Sequence, residues 1–264
     1  MFLSFWRPIE INNKFFADTD EYNAVTSGIG QSEVWKWREK YPQVRFIPIA
    51  KNDGFAATVN IGFRVSTGKY IGTVNDDTVL NADWIKKSLD CAFIDPGSKY
   101  AYNPGSINPV IYKSDGSVES AGIYVLPKGK AIPKTKFVKE KNCFESDATN
   151  AAAVLYSREA LNKTGLFDEK FGSYLEDIDL SLRLKRNGYA NIVCTAASVI
   201  HTGQRTSQSL GAKKNWLDFK NWILVILKNW GTLEFVSNFP QIIIERLRNI
   251  SGIIKTFGHP KVSF

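Results

Sequence analysis

Short apolar runs alternate with helix-length amphipathic segments along the first two hundred residues. The pattern predicts strands over Val44–Ile49 and residues 70–74, with helices over residues 31–41 and through Asn60 to Val65. Strands that alternate with helices of this length are typical of a doubly wound, mostly parallel sheet. We therefore predict an α/β fold of the Rossmann-like kind, with helices flanking the sheet.

The pattern changes between residues 110 and 126. Two apolar stretches, 110–112 and 122–126, flank Asp115-Gly116, a dipeptide typical of a tight hairpin turn. We predict a β-hairpin insertion here, followed by a basic, proline-containing surface loop over residues 128–141. Helix signals return at residues 157–161, and a last strand runs from residue 192 to His201.

One segment fits two structures. From Asp177 to Leu184 the apolar residues alternate strictly, which is the pattern of a strand. Leu, Arg and Lys are nevertheless good helix formers, and β-branched residues are scarce in this stretch. The residues alone leave strand and helix open.

Composition places the chain among folded, water-soluble proteins. Its 264 residues are 44% hydrophobic and 23% charged, enough for one large α/β domain or two small ones. Three widely spaced cysteines, with no zinc-binding pattern, fit a reducing compartment. No run approaches the roughly 18 to 20 apolar residues that span a bilayer.

The net charge is +8, and it is uneven along the chain. From His201 onward nine Lys or Arg stand against three acidic residues, so the last quarter carries +6. Three of the seven tryptophans, Trp216, Trp222 and Trp230, lie there too. We expect residues 1–210 to form the main domain and residues 211–264 a basic, amphipathic helical tail.

Two acidic clusters are candidates for chemistry. Asp76 and Asp77 directly follow a predicted strand, where open α/β sheets bind ligands and where carboxylates suit Mg²⁺ or Mn²⁺. A helix cap and turn is the alternative for this pair. Glu176 and Asp177 form the second cluster, which indicates either acid–base chemistry or a solvated helix start.

Other polar residues carry little information individually. His201 is one of two histidines and ends a predicted strand, and a lone histidine is usually structural. Asn52, Gly54 and Asn60 surround a turn that any strand-to-helix connection can use.

Together, in this order, the motifs resemble family 2 glycosyltransferases of the GT-A fold, in the rhamnosyltransferase-like bacterial branch. The resemblance covers residues 23–227. The matching stretches are residues 52–62, 68–78 with Trp84, 114–122, 157–161, 165–171, 174–183 and 201–207.

The resemblance implies a metal site. Asp77, with Asp76 beside it, matches the last carboxylate of the DXD-type motif that holds Mg²⁺ or Mn²⁺. Asn75 stands where the first Asp of that motif often falls. His201 matches the position that completes the metal site.

The resemblance also implies catalytic and donor-binding roles. Asp177, in a pair with Glu176, matches the general base that deprotonates the acceptor hydroxyl. Asn52, Gly54 and Asn60 match the donor-binding side. The same resemblance makes residues 177–186 a helix whose N-terminus faces the site.

Two departures from the family pattern stand out. The first nucleotide-binding strand and helix are missing from the pattern before Tyr22, which implies a truncated or divergent N-terminus. Ala151 stands where the family usually has Gly at the acceptor-side loop.

The resemblance implies an inverting, metal-dependent hexosyltransferase, of which a rhamnosyltransferase is one form. Its donor would be a dTDP- or UDP-sugar, and its acceptor a polysaccharide or lipid-linked glycan. No nucleic acid is expected as a partner. The basic tail implies a cytoplasmic protein, peripheral on an anionic inner membrane face. The alternatives are a catalytically inactive GT-A-like binding protein and a sugar nucleotidyltransferase.

Overall fold

The computed structural model describes residues 2–5, 21–27, 29–94, 103–138, 142–202 and 211–258. The strands are β1 (Phe2–Phe5), β2 (Tyr22–Ser27), β3 (Val44–Ile49), β4 (Tyr70–Asn75), β5 (Thr78–Leu80), β6 (Pro104–Lys113), β7 (Val118–Ser120), β8 (Ile123–Leu126), β9 (Lys130–Pro133), β10 (Cys143–Glu145), β11 (Ala153–Ser157) and β12 (Ala190–His201). The helices are α1 (Gln31–Lys40), α2 (Phe55–Val65), α3 (Trp84–Ile94), α4 (Arg158–Thr164), α5 (Glu176–Arg186), α6 (Gly211–Asn229) and α7 (Thr232–Gly258), with a 3₁₀ turn at Glu169–Phe171.

The strands form a mixed sheet in the order β10-β12-β6-β11-β4-β1-β2-β3. Strands β3, β2, β1 and β4 run parallel, as the sequence predicts. The next strand, β11, is antiparallel to both β4 and β6, while β6 and β12 are parallel. The α/β architecture is thus confirmed, with the parallel arrangement concentrated in the first half of the chain.

Strand β1 lies between β2 and β4, so the chain builds outward through β2 and β3 and then returns to β4. Such a switch in strand order leaves a crevice at the carboxyl ends of the central strands, where α/β proteins bind ligands. Phe2–Phe5 thus occupies the place of a first strand that the sequence analysis did not find. Phe2–Phe5 is too short to show an alternating pattern, and residues 6–20, where a following helix is expected, lie outside the described residues.

The segment that the residues left open is the helix α5, as the family resemblance implies. Ile178, Ser181 and Leu184 recur at intervals of three and are buried. Arg183 closes a salt bridge to Asp179 one turn earlier, at 2.8 Å. The apparent alternation arises because this helix also buries residues beside that stripe.

The hairpin region differs from its prediction. Strand β6 does turn at Asp115-Gly116, but its partner is β7 rather than residues 122–126. Gly122, at φ +84°, interrupts the strand, and a Cβ there would lie 2.4 Å from Ser146 Oγ. Beyond this bend β8 pairs with β9, so part of the predicted loop 128–141 is the second strand of another hairpin.

Apolar side chains pack on both faces of the sheet. Leu155 of β11 packs with Trp84 on one face, while its neighbours Val154 and Tyr156 pack with Phe63 on the other. This alternation is the usual consequence of the two-residue period of a strand. The sheet is therefore buried on both sides beside the carboxyl end of β4.

Helix α6 packs against the sheet domain. Trp222 and Val225 are buried in a cluster with Phe171 and Ile178, which flank the acidic start of α5. Lys228 pairs with Asp168 and Asp179, at 2.7 and 3.0 Å. These residues of the tail therefore make their packing contacts and salt bridges within the protein.

Helix α7 packs on α6 and directs polar residues inward. Glu245 and Arg246 are buried, and Glu245 pairs with Lys128 and Lys130. Its outer surface carries large apolar side chains instead. These are Leu233, Val236, Phe239, Ile243, Ile244, Leu247, Ile250 and Ile254. None of the helices in the described part of the chain is long and apolar enough to cross a membrane.

Candidate active site

The backbone brings Asp77 and His201 together. Asp76 and Asp77 form the turn between β4 and β5, and β5 pairs antiparallel with the end of β12. In this register Thr78 lies opposite His201. The amide and hydroxyl of Thr202 then both donate to the carbonyl of Asp77, at 2.8 and 2.9 Å. The carboxyl end of β4 is thereby tied to the end of β12.

His201 lies between two carboxylates. Its Nε2 is 3.1 Å from Asp77 Oδ1, and its Nδ1 is 3.0 Å from both oxygens of Glu119. The His201, Asp77 and Glu119 side chains are 16%, 25% and 27% exposed. Burial opposes a charged ring, but the hydrogen bonds to the two carboxylates outweigh it and raise the pKa of His201 to about 10. The two carboxylates therefore favour the protonated form of the ring.

Glu119 is a site residue to which the sequence analysis assigned no role. It lies on β7, in the stretch 114–122 that contributed to the resemblance. Its proximity to His201 depends on the pairing of β6 with both β7 and β12. No local pattern in the sequence reports that pairing.

The donor chemistry at this point suits a divalent cation. Carboxylate oxygen and imidazole nitrogen are ligands of Mn²⁺, and a carboxylate on the other ring nitrogen is the usual support of a metal-bound histidine. The three side chains form a line through the ring rather than a cage. Accordingly, the described residues include no group of three or more His, Cys, Asp or Glu side chains arranged to hold a metal ion. Asp76, Asp77 and His201 as metal ligands remain a prediction.

Glu176 and Asp177 begin α5 and differ in environment. Asp177 Oδ2 accepts from the amide of Ala151 at 3.2 Å, and Oδ1 from the amide of Ile178 at 2.8 Å. Burial raises the pKa of Asp177, and these hydrogen bonds offset part of the rise. Glu176 is buried, and its Oε2 has no hydrogen-bond partner among the described residues. Burial, followed by the charge of Asp177, raises the pKa of Glu176 well above its usual value.

These two environments separate the roles of the pair. Burial favours the protonated form of Glu176, whereas Asp177 has hydrogen-bond donors that stabilise its ionised form. Of the two, Asp177 is the better candidate to accept a proton from a bound hydroxyl, and its role as general base remains a prediction.

Two consecutive alanines connect the acidic groups. The amide of Ala151 donates to Asp177, and the carbonyl of Ala152 accepts from the Asn75 amide at 2.9 Å and the Thr78 hydroxyl at 3.3 Å. The turn with Asp77 therefore lies on one side of this short backbone stretch, and the carboxylate of Asp177 lies on the other. Alanine in place of the family's glycine at position 151 leaves the amide contact to Asp177 in place.

The predicted donor-side turn is built around Gly54. Asn52 Oδ1 accepts from the Gly54 amide at 3.0 Å, which closes the turn before α2. Gly54 has φ +102°, and a Cβ there would lie 2.6 Å from the carbonyl oxygen of Gly172. Only glycine allows this approach between the donor-side turn and the loop before α5.

Asn60, which the resemblance assigns to the donor side, makes buried contacts within the protein. Its side chain is buried, donates to the Phe167 carbonyl and to Glu169 at 2.9 Å each, and accepts from the Phe167 amide at 3.1 Å. These bonds fix the segment between α4 and α5 to α2. These contacts indicate a structural role for Asn60, and its donor-side role remains a prediction.

Comparison with known sequences gives a family match. The model of glycosyl transferase family 2 matches residues 30–98. The chain is 27% identical to N-acetylglucosaminyl-diphospho-decaprenol L-rhamnosyltransferase of Mycobacterium tuberculosis, over 72% of this chain and 69% of that protein.

Comparison with solved structures gives the fold. The mannosyltransferase PcManGT of Pyrobaculum calidifontis, in complex with GDP-Man and Mn²⁺, matches with a TM-score of 0.62 at 14% identity, over 97% of this chain and 73% of that one. GalNAc-T7 with UDP, GalNAc and Mn²⁺ matches with a TM-score of 0.60 at 13% identity, over 85% of this chain. The chain spans 46% of the GalNAc-T7 chain. The chain is thus similar to glycosyltransferases, with a family 2 match over residues 30–98 and a rhamnosyltransferase among its relatives, and it has a GT-A fold.

Proposed function

We propose that this protein is an inverting, metal-dependent glycosyltransferase. It moves a sugar from a nucleotide-sugar to a hydroxyl group of a polysaccharide or lipid-linked glycan. The observation that carries the proposal is the bridge through Ala151 and Ala152, which joins the candidate base Asp177 to the turn of Asp76 and Asp77. This bridge supports a site in which a carboxylate for the acceptor and a pair of carboxylates for the donor diphosphate lie near the switch in strand order.

Asp177 acts as the general base in this proposal. It accepts the proton of the acceptor hydroxyl while that oxygen bonds to the anomeric carbon of the donor sugar. The bond between the anomeric carbon and the diphosphate oxygen breaks, and its electron pair leaves with the diphosphate. Attack from the face opposite the leaving group inverts the anomeric configuration. Burial raises the pKa of Glu176 well above its usual value, which favours a neutral Glu176 and a negative charge on Asp177.

Asp77, Asp76 and His201 would hold the divalent cation, with Glu119 orienting the ring of His201. A bound Mg²⁺ or Mn²⁺ would stabilise the negative charge on the leaving diphosphate. Asn52 and Gly54 shape the donor-side turn next to this position. Because the protein offers few ligands here, the diphosphate and water would complete the coordination.

The substrates are proposed from the similar proteins. The mycobacterial relative is named as a rhamnosyltransferase that acts on a diphospho-decaprenol-linked sugar, which supports a lipid-linked acceptor and a deoxyhexose donor for this chain. The two structural neighbours were solved with UDP and with GDP-Man, which supports a nucleoside diphosphate leaving group. We propose dTDP- or UDP-sugars as donors.

A lipid-linked acceptor favours a location on the cytoplasmic face of the cell membrane. The net charge of +8 and the outward apolar side chains of α7 support a peripheral position there. Lys228 pairs with acidic residues of the protein and Arg246 is buried, so these two charges contribute little to binding a lipid surface. Apolar contact therefore has a larger share of membrane binding than the tail charge of +6 alone would indicate.

An inactive binding protein is the second candidate. It is favoured by one observation, the pairing of His201 with both Asp77 and Glu119, which satisfies these groups without a cation. The test is product analysis with a panel of dTDP-, UDP- and GDP-sugars, Mn²⁺ and a polyprenyl-diphosphate-linked acceptor. We expect release of nucleoside diphosphate and a glycoside with inverted anomeric configuration by NMR. Nucleotide binding without product from any donor would favour the binding protein.

A further inference from the structure

Helix α6 runs alongside residues 168–179, the segment that contains the candidate base Asp177. The ammonium of Lys214 lies 5.6 Å from the ring centre of Tyr174, and Lys220 Nζ donates to the carbonyl of Lys170 at 3.0 Å. Near the C-terminal end of the helix, Lys228 pairs with Asp168 and Asp179. The tail is thus in direct contact with both ends of this segment.

Asn221 makes the densest set of these contacts. Its side chain is fully buried, and Nδ2 donates to the carbonyls of Phe171, Ser173 and Tyr174 at 3.0, 2.8 and 2.7 Å. The last two of these carbonyls belong to the loop Gly172–Leu175, which has no regular secondary structure. Carbonyls removed from water need donors, and here the two N–H groups of one amide are shared among three carbonyls.

The loop needs such support because its backbone is strained. Tyr174 has φ +73° and Leu175 has φ +69°, and neither is glycine. Left-handed conformations of such residues persist only where the surroundings fix them. Leu175 immediately precedes Glu176 and Asp177, so its backbone direction sets where the first turn of α5 points.

The other side of the loop contacts the donor-side turn. The carbonyl of Gly172 accepts from the Ala56 amide at 2.9 Å, and Ser173 Oγ accepts from the Phe55 amide at 3.2 Å. Residues 172–175 are therefore held between the start of α2 and the tail helix α6.

We infer that Asn221 is a positioning residue, which fixes the loop before α5 and through it the direction of the Asp177 carboxylate. The inference rests on the proposed function, because it assigns Asn221 a part in the same reaction. It makes α6 a component of the active-site architecture. A displacement of the base by about 1 Å can cost up to about a hundredfold in rate.

Asn221→Ala and Asn229→Ala are the matched variants that test this inference. Asn229 lies on the same helix and donates to Asp179 Oδ1 and to the Val225 carbonyl, both at 3.0 Å, without touching the loop. We expect kcat of Asn221→Ala to fall at least about tenfold, with the dissociation constant of nucleoside diphosphate within about threefold of wild type. Asn229→Ala should retain kcat within about threefold. Equal losses of kcat in both variants, or wild-type kcat in Asn221→Ala, would overturn the inference.

Hydrogen–deuterium exchange of residues 172–178 gives a second readout, which needs no turnover. Exchange there should be faster in Asn221→Ala and unchanged in Asn229→Ala. Asn221→Ser keeps one donor, so it should show intermediate exchange and kcat, and it replaces the alanine variant if that variant does not fold. A wild-type protein without activity would count against the proposed function, while unchanged exchange in either Asn221 variant would count against the positioning role.

Discussion

His201 Nε2 lies 3.1 Å from Asp77 Oδ1, although 124 positions separate the two residues in the chain. The contact joins the carboxyl end of β4 to the end of β12, on opposite sides of β11 and β6 in the sheet order. The β5–β12 ladder makes it possible, since it turns the acidic pair toward the histidine. The proposed metal site depends on this contact.

Asp77→Ala should abolish Mn²⁺-dependent binding of nucleoside diphosphate and leave the fold intact. The side chain is partly exposed and outside the apolar core, so its loss removes a ligand rather than packing. Calorimetric titration of UDP or dTDP with and without Mn²⁺ measures the effect. Asp115→Ala, in the exposed turn after β6, is the matched control. Equal nucleotide affinity in the Asp77 variant and wild type would refute the metal assignment.

Glu176 should make the protein less stable as pH rises. Its folded pKa lies above the usual 4.5, so between these values the folded chain holds a proton that the unfolded chain has released. The free energy of unfolding therefore falls with rising pH, by at most about 1.4 kcal/mol per pH unit for this group. Asp177, whose pKa is also raised, acts in the same direction.

Urea unfolding of wild type and Glu176→Gln at several pH values between 5 and 8 measures this contribution. The variant should be more stable than wild type at pH 8, and its stability should depend less on pH. Glu234→Gln, on an exposed part of α7, controls for the loss of a carboxylate. The same pH dependence in wild type and Glu176→Gln would show that Glu176 is not held protonated.

Asn52 and Asn60, which the sequence analysis assigned to the same donor-side role, should respond differently to substitution. Asn60→Ala removes buried hydrogen bonds to Phe167 and Glu169, and it should lower the free energy of unfolding by about 1 to 3 kcal/mol. Asn52 is exposed, so Asn52→Ala should weaken donor binding with little effect on stability. Denaturation and nucleotide-sugar titration of both variants test this. A stable Asn60→Ala protein with weakened donor binding would reverse the two roles.

The outer surface of α7 should contribute to membrane association. Leu247 and Ile254 are 59% and 64% exposed, and burial of each in the lipid interface contributes about 1.5 to 3 kcal/mol. The double variant Leu247→Asn, Ile254→Asn should therefore bind anionic vesicles at least about tenfold more weakly in cosedimentation. Trp35→Asn, at another exposed apolar position, is the control. Unchanged vesicle binding in the double variant would exclude α7 as the membrane-facing surface.

The sequence predicted those parts of the fold whose signals are local. β3 matches its predicted range, and β4 differs by one residue, because each is a short apolar run bounded by turn residues. β1 escaped prediction because a four-residue strand carries no period. The β8–β9 hairpin escaped because Lys130 and Lys134 made its second half resemble a surface loop, whereas Lys134 lies 4.1 Å from the ring centre of Tyr124.

In the candidate site too, residues within local motifs were found from the sequence, and residues that depend on contacts between distant parts of the chain were not. The sequence motifs named Asp77, His201 and Asp177, and the structure places the first two in contact and the third one short backbone stretch away. Glu119 and Asn221 have no local signature, since each reaches the site through contacts between distant parts of the chain. Their roles follow from three-dimensional placement, which a single sequence does not report.

Steady-state turnover of Asp177→Asn tests the central claim most directly. The substitution keeps the shape of the side chain and removes the proton acceptor, with Asp115→Asn as the control. We predict that kcat falls by about 10²-fold or more, the usual scale for loss of a general base, while the nucleotide-sugar dissociation constant stays near that of wild type. Near-normal kcat in Asp177→Asn, with a working acceptor, would contradict the account and transfer the base role to another group.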